Sequence, residues 1–178
     1  MNFKDNMLKS IIAIYMLQII FCYGLSKFTN IQCFNLDENF SHFSECRMRA
    51  VKRDVTEINI KAKLLQSITA NITMRWQLMK KASGYKPFLY DVSADVCDYL
   101  EKPNHPFINI ILHSFGNHSI KVQKCPINDE IGLVQFQFPM KTLESLPLPF
   151  GEYGLFSTFT VQGIERAAIK AYFVLTEF

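Results

Sequence analysis

Charge of one sign is scarce in this sequence: 19 basic residues stand against 16 acidic ones, a formal charge of +3. Setting aside the N-terminal leader described below removes Lys4, Lys9 and Asp5, which leaves 17 basic and 15 acidic residues and a charge of +2. So near-neutral a balance argues against nucleic acid as a partner, because that interaction needs a basic stripe to displace counterions. The local run Arg47, Arg49, Lys52 and Arg53 reads as a solvated strand edge that discourages edge pairing. Chemical motifs are missing too. There is no Cys-x-x-Cys pair for zinc, and His105, His113 and His118 lack the i, i+4 spacing that puts two imidazoles on one metal. Nothing resembles a nucleophile elbow, a phosphate-cradling glycine loop or a calcium loop. Asp91 and Asp95 share a strand face, but it is the polar face, where solvation or helix capping is the ordinary role. The expectation is a binding protein and not an enzyme, with no catalytic residue, cofactor or metal.

Long apolar runs are confined to one place. Lys4 and Lys9 precede the block Ile11 to Tyr23, interrupted by Gln18 and ending at Cys22-Tyr23-Gly24. Residues 1–24 read as a cleaved signal peptide, since the block is shorter than the roughly 20 apolar residues that cross a bilayer. A single domain, residues 25–178, follows, without internal repeat, low-complexity tract or domain boundary. The expected location is secreted and extracellular.

Four cysteines remain in the mature chain: Cys33, Cys46, Cys97 and Cys125. An even number in a secreted chain points to two disulfides with three pairings open. Cys33–Cys46 and Cys97–Cys125 are preferred because each closes a short local excursion, worth roughly 3 kcal/mol in the chain-entropy model. Three glycosylation acceptors accompany them, at Asn39-Phe-Ser, Asn71-Ile-Thr and Asn117-His-Ser.

The rest is short alternating runs separated by turn residues. Phe28 to Phe34 and Phe43 to Val51 read as the first strands. Val55 to Leu65 alternates Ile58, Ile60, Ala62 and Leu64 with Glu57, Asn59, Lys61 and Lys63. Thr69 to Met79 puts Ile72, Met74, Trp76 and Leu78 inward, and Lys80 to Lys86 is the expected turn. In Gly84 to Leu100 the residues Phe88, Tyr90, Val92, Ala94 and Val96 form one apolar face, after which Asp98 and Glu101 suit a helix start. A second helical segment is expected with Asn104 as cap and Phe107, Ile110, Ile111 and Ser114 on one face, stopped by Gly116. Val134, Phe136 and Phe138 alternate again, Gly151 to Gly154 is an expected turn, and Leu155 to Val161 with Ala167 to Thr176 make a final antiparallel pair. The pattern is an all-β sandwich or barrel of about seven strands with one helical insertion.

Large apolar side chains are plentiful for such a domain, Phe156 among them. If the sheets are loosely apposed, Met74, Trp76, Phe88, Tyr90, Phe136, Phe138, Phe159 and Phe173 are the candidate contacts for an apolar ligand. If they only fill the core, the chain works through its surface, and an exposed aromatic patch is the expected sign.

Several segments carry a family resemblance: Phe28-Thr-Asn-Ile with Cys33, Cys46-Arg-Met-Arg-Ala-Val-Lys-Arg, Gly84-Tyr-Lys-Pro-Phe-Leu-Tyr running to Cys97, Cys125-Pro126, Leu146-Pro-Leu-Pro-Phe-Gly-Glu-Tyr, and Ala168-Ile-Lys-Ala-Tyr-Phe. In these the chain resembles an insect family of secreted proteins with a domain of unknown function, itself similar to ML-type lipid-recognition domains and ganglioside-activator-like chemosensory proteins. The resemblance implies an immunoglobulin-like two-sheet sandwich that admits a small hydrophobic ligand, lipid or pheromone-like, between its sheets. It also implies a role beside chemosensory receptors or channels. The alternative is a filled-core extracellular module that modulates such a membrane receptor or channel. The lipid-recognition motifs themselves are not matched residue for residue.

Overall fold

The computed structural model describes residues 25–52, 55–69, 71–115, 119–120, 125–137 and 148–176. The expected signal peptide, Asn117, Gly116 and Phe138 lie outside these residues. Nine strands are present among them, more than the seven or so read from the sequence. They are β1 (Leu25–Asn35), β2 (Ser41–Lys52), β3 (Val55–Leu64), β4 (Ile72–Ala82), β5 (Gly84–Asp95), β6 (Ser119–Ile120), β7 (Glu130–Gln137), β8 (Gly151–Val161) and β9 (Ile164–Thr176). Two short helices, α1 (Val96–Glu101) and α2 (Pro106–Phe115), follow β5. The strands form two antiparallel sheets, a five-stranded one ordered β1-β9-β8-β4-β5 and a four-stranded one ordered β2-β3-β7-β6.

Period-2 alternation explains which side of each sheet is dry. In β3, Ile58, Ile60, Ala62 and Leu64 are buried, and in β4, Ile72, Trp76 and Leu78 are, as their spacing predicts. The interior is subdivided. Ile58, Ile60 and Phe136 of the four-stranded sheet pack against Phe28, Ile31, Cys33 and Ile169 of β1 and β9. Over β4 and β5 the cover is helical instead: Trp76 packs with Tyr99, Ile108 and Ile111, flanked by Met74, Tyr90, Val92 and Ala94. A third cluster joins Leu78, Tyr153, Phe173 and Leu175, and a fourth closes one end of the molecule with Phe40, Leu64, Ile68, Ile72, Ile127 and Val161.

Both disulfides have the preferred pairing, Cys33–Cys46 and Cys97–Cys125. Their placement differs from a stapled hairpin loop. β1 and β2 belong to different sheets, so Cys33–Cys46 crosses the sandwich along one edge. Cys97 sits in α1, so the second bridge ties the helical insertion to the segment that pairs Ile127 with Ile68.

Local boundaries depart from the sequence reading where a side chain competes for backbone groups. β5 ends at Asp95, one residue short of the alternating face's Val96, because the Asp95 carboxylate accepts the Asp98 amide at 3.0 Å and caps α1; Asp98 is a first-turn residue. In α2 the capping position belongs to His105 and not Asn104: its carbonyl accepts the Asn109 amide at 2.9 Å and its Nδ1 faces the Ile108 amide at 3.5 Å. Of the expected Phe107, Ile110, Ile111 and Ser114, Ile111 is buried and Ile110 half-buried; Ile108 is buried as well and the half-buried Leu112 packs beside it, while the side chains of Phe107 and Ser114 lie outside those described. Trp76 and Tyr99 receive Ile108 and Ile111. β4 extends to Ala82 and pairs it with Gly84, so the turn expected over Lys80 to Lys86 is far tighter. Gly151 to Gly154 opens β8 instead of turning; the turn is Gln162-Gly163, both with positive φ, between β8 and β9.

Candidate functional site

Seven of the eight residues expected to meet a ligand are described, and they are spread over several packing clusters. Trp76, at 3% exposure, lies under the helices with Met74 close by. Phe136, at 2%, belongs to the cluster between the sheets at β3 and β7. Phe173, at 3%, stacks on Tyr153 with ring centroids 5.4 Å apart and planes at 17°. Phe88 packs on that same cluster, where the Lys80 ammonium lies 5.0 Å from its ring centroid and 5.7 Å from that of Tyr153. Tyr90 borders both the Trp76 and the Tyr153 clusters. Phe159 pairs across β4 with Met74 on the inner face, and both are half-buried. Phe138 is outside the described residues.

The outer face of the five-stranded sheet holds a second aromatic set. The register puts Phe156 opposite Lys170, Lys170 opposite Gln32, and Gly154 opposite Tyr172, all on the side away from the core. Lys81 pairs with Tyr85, which places Tyr85 on the same side. The rings meet: Tyr85 and Tyr172 have centroids 5.1 Å apart, Phe156 and Tyr172 5.7 Å, and Tyr85 and Phe156 6.0 Å. The Lys170 ammonium lies 5.0 Å from the ring centroids of both Phe34 and Phe156. Tyr172 donates its hydroxyl to Gln32 Oε1 at 3.1 Å, and burial among its neighbours, then the nearby Tyr85, raises the Tyr172 pKa above its ordinary value.

Charge pairs border this patch. Arg75 Nε and Nη2 donate to the two Asp91 carboxylate oxygens at 2.7 and 2.6 Å, and Gln77 adds a third bond at 2.9 Å. Arg75 holds the Asp91 carboxyl below its ordinary range, and Asp91 in turn raises the Arg75 pKa. Lys81 bonds Glu152 at 2.7 Å. Asp91 and Asp95 are thus committed to an ion pair and a helix cap. Lys170, by contrast, has rings beside it and no ion pair among the described residues. None of Phe34, Tyr85, Phe156 and Tyr172 stood out as a set in sequence, because they come from four strands spread along the chain. The available signal was parity: Phe156 and Tyr172 occupy the positions that alternation assigns to solvent.

The opposite outer face, on the four-stranded sheet, is charged. Glu57 and Asn59 alternate with core residues yet are themselves buried. Glu57 Oε1 accepts from Asn59 Nδ2 at 3.1 Å and from Arg49 Nε at 3.0 Å, while Asn59 Oδ1 accepts the Gln135 amide at 2.8 Å. The Asn59 bond, then that of Arg49, outweighs burial and lowers the Glu57 pKa.

An open groove of about 650 Å³ lies at the end of the five-stranded sheet, lined by Lys81, Ala82, Phe150, Glu152, Val174 and Leu175 among others.

Residues 74–155 match a family model described as a protein of unknown function (DUF1091). That stretch runs from β4 through the helices to β8 and includes Trp76, Tyr85, Asp91 and Cys97. No curated protein matches the chain. The disulfides, and the lack of any helix among the described residues long and apolar enough to cross a membrane, are compatible with an extracellular protein.

Proposed function

We propose that this chain is a secreted, non-catalytic interaction protein that meets a protein partner through the aromatic outer face of its five-stranded sheet. The observation that carries the reading is the cluster of Phe34, Tyr85, Phe156 and Tyr172 around Lys170. Aromatic rings are enriched at interface centres whereas lysine is depleted there, so the rings supply the contact area and Lys170 the charge that selects a carboxylate on the other side. The partner is therefore a surface that presents an acidic side chain among apolar groups. The resemblance to chemosensory proteins suggests the extracellular part of a membrane receptor or channel. The packing of Trp76, Phe136 and Phe173 into separate clusters supports a surface role over an internal one. The test is a photo-crosslinking probe at Thr158, beside the patch, compared with one at the exposed Lys63 on the other sheet. On cells that bear the partner, the Thr158 probe is expected to give one adduct that disappears with Lys170→Glu. An adduct insensitive to that substitution, or equal labelling from Lys63, would overturn the reading.

A second reading rests on Met74 and Phe159, which face inward yet are only half-buried. A small apolar ligand would reach the inner face there, beside α2, as the resemblance to lipid-recognition domains suggests. Mass spectrometry of protein purified from its secreting cells tests it, and protein free of any co-purified lipid or hydrocarbon counts against it.

A further inference from the structure

One end of the molecule carries exposed apolar side chains with no function in the reading above. Leu36 is 49% exposed, Leu65 54% and Ile164 54%. Leu36 belongs to the connection after β1, Leu65 to the one after β3, and Ile164 opens β9 just after its turn with β8. Backbone hydrogen bonds bring these three places together. The Leu36 amide donates to the Arg166 carbonyl at 3.0 Å, and the Leu65 amide to the Phe40 carbonyl at 2.9 Å. Beneath them lies the Phe40, Leu64, Ile72 and Val161 cluster.

Two of the three glycosylation acceptors fall at this same end. Asn39 is exposed in the turn before β2, and its carbonyl accepts from Gln66 Nε2 at 3.3 Å, which sets it beside Leu65. Asn71 is exposed, with φ 56, at the start of β4; its carbonyl accepts the Gln162 amide at 3.0 Å, two residues from Ile164. Each acceptor asparagine thus stands next to an apolar side chain that needs cover. We infer that Asn39 and Asn71 carry N-linked glycans that shield the Leu36, Leu65 and Ile164 end from water and from other chains. A glycan is bulky and hydrated, so a pair of them solubilises this end and leaves the aromatic face as the docking surface.

The inference rests on the secretory reading, since N-glycans are added in that compartment. The full chain is expressed in secreting cells, and its glycopeptides are analysed by mass spectrometry. Expected is a glycan at each position, with N39Q and N71Q each removing one, and apolar-dye binding and aggregation that rise in the N39Q/N71Q double variant. Adding L36S, L65S and I164S should reverse that rise. Enzymatic removal of the glycans from folded protein repeats the comparison without a folding step. Secreted protein with bare Asn39 and Asn71, or a double variant and enzyme-trimmed protein as monodisperse as the parent, would overturn this inference alone. A chain retained in the cytosol without glycans would overturn the secretory reading with it.

Discussion

Cys33 and Cys46 are bonded across the sandwich, each from an inner face: Cys33 pairs with Ile169 in the five-stranded sheet and Cys46 with Ile60 in the four-stranded one. The side-chain oxygen of Asn35 accepts the Phe43 amide at 3.0 Å beside this bridge. The edge where the chain passes from one sheet to the other is therefore held covalently and by a hydrogen bond.

Replacing Cys33 and Cys46 together by alanine should lower stability by about 3 kcal/mol, the entropy of closing a loop of this length. The bridge also holds the two sheets together, so protease sensitivity should rise at the β1 and β2 edge first. Urea unfolding with the parent under the same conditions checks the magnitude, and limited proteolysis checks the place. Equal stability would mean that the cluster of Ile58, Ile60 and Phe136 closes this edge without it.

Core and patch should separate cleanly on mutation. Phe173→Ala removes a ring stacked on Tyr153 inside the molecule and should cost about 3–5 kcal/mol. Phe34→Ala removes an exposed ring on the outer face and should cost under about 1 kcal/mol. Binding should respond in the opposite order, with Phe34→Ala weakening the partner interaction at unchanged fold. Thermal melts paired with a binding titration measure both. A large stability loss from Phe34→Ala would make the patch a structural feature.

Much of this fold was readable because alternation is a local signal. In Val55 to Leu64 the spacing names Ile58, Ile60, Ala62 and Leu64, and in Ile72 to Leu78 it names Ile72, Trp76 and Leu78, all of them buried, with Met74 half-buried among them. What alternation cannot convey is what lies over the other face, so Glu57 and Asn59 read as solvated although they are buried. β5 illustrates a second limit. Opposite Gln77 and Met79 the pairing moves from Asp91 to Pro87, so four residues span two, with Leu89 at φ 57 and 63% exposed. An irregularity of two residues preserves parity, so Phe88 and Tyr90 still point inward and the sequence shows no break. The outer aromatic patch depends on register between strands far apart in the chain, which no local window contains.

Acid should weaken the fold partly through Glu57. Its folded pKa is lowered, so the stabilisation is present above the unfolded carboxylate pKa of about 4.3 and is lost as pH falls through the folded value. Asp91, lowered by Arg75, acts in the same direction. The unfolding midpoint of the parent should therefore drop below about pH 4 more steeply than that of Glu57→Gln or Asp91→Asn. Parallel curves for parent and Glu57→Gln would show that the Arg49 and Asn59 contacts give no net preference for the charged form.

Gly132 offers the sharpest steric test. It pairs with Lys61 of β3 on one side and Ile120 of β6 on the other, in the middle of three strands. A Cβ placed there would stand 2.0 Å from the Ile60 carbonyl oxygen and 2.9 Å from its carbon, both backbone atoms that a rotamer change cannot move. The strands would have to part, so Gly132→Ala should cost about 3 kcal/mol or more, the upper end of overpacking penalties. Gly163, in the turn between β8 and β9, provides the control. A Cβ there meets nothing within 4 Å, and the penalty is confined to its φ of +78°, about 1–2 kcal/mol. If the two variants unfold at the same denaturant concentration, backbone contact across β3 and β7 is looser than these distances indicate. If Gly132→Ala alone is severe, β7 is locked against β3 at the point where Phe136 and Ile131 enter the core from either side.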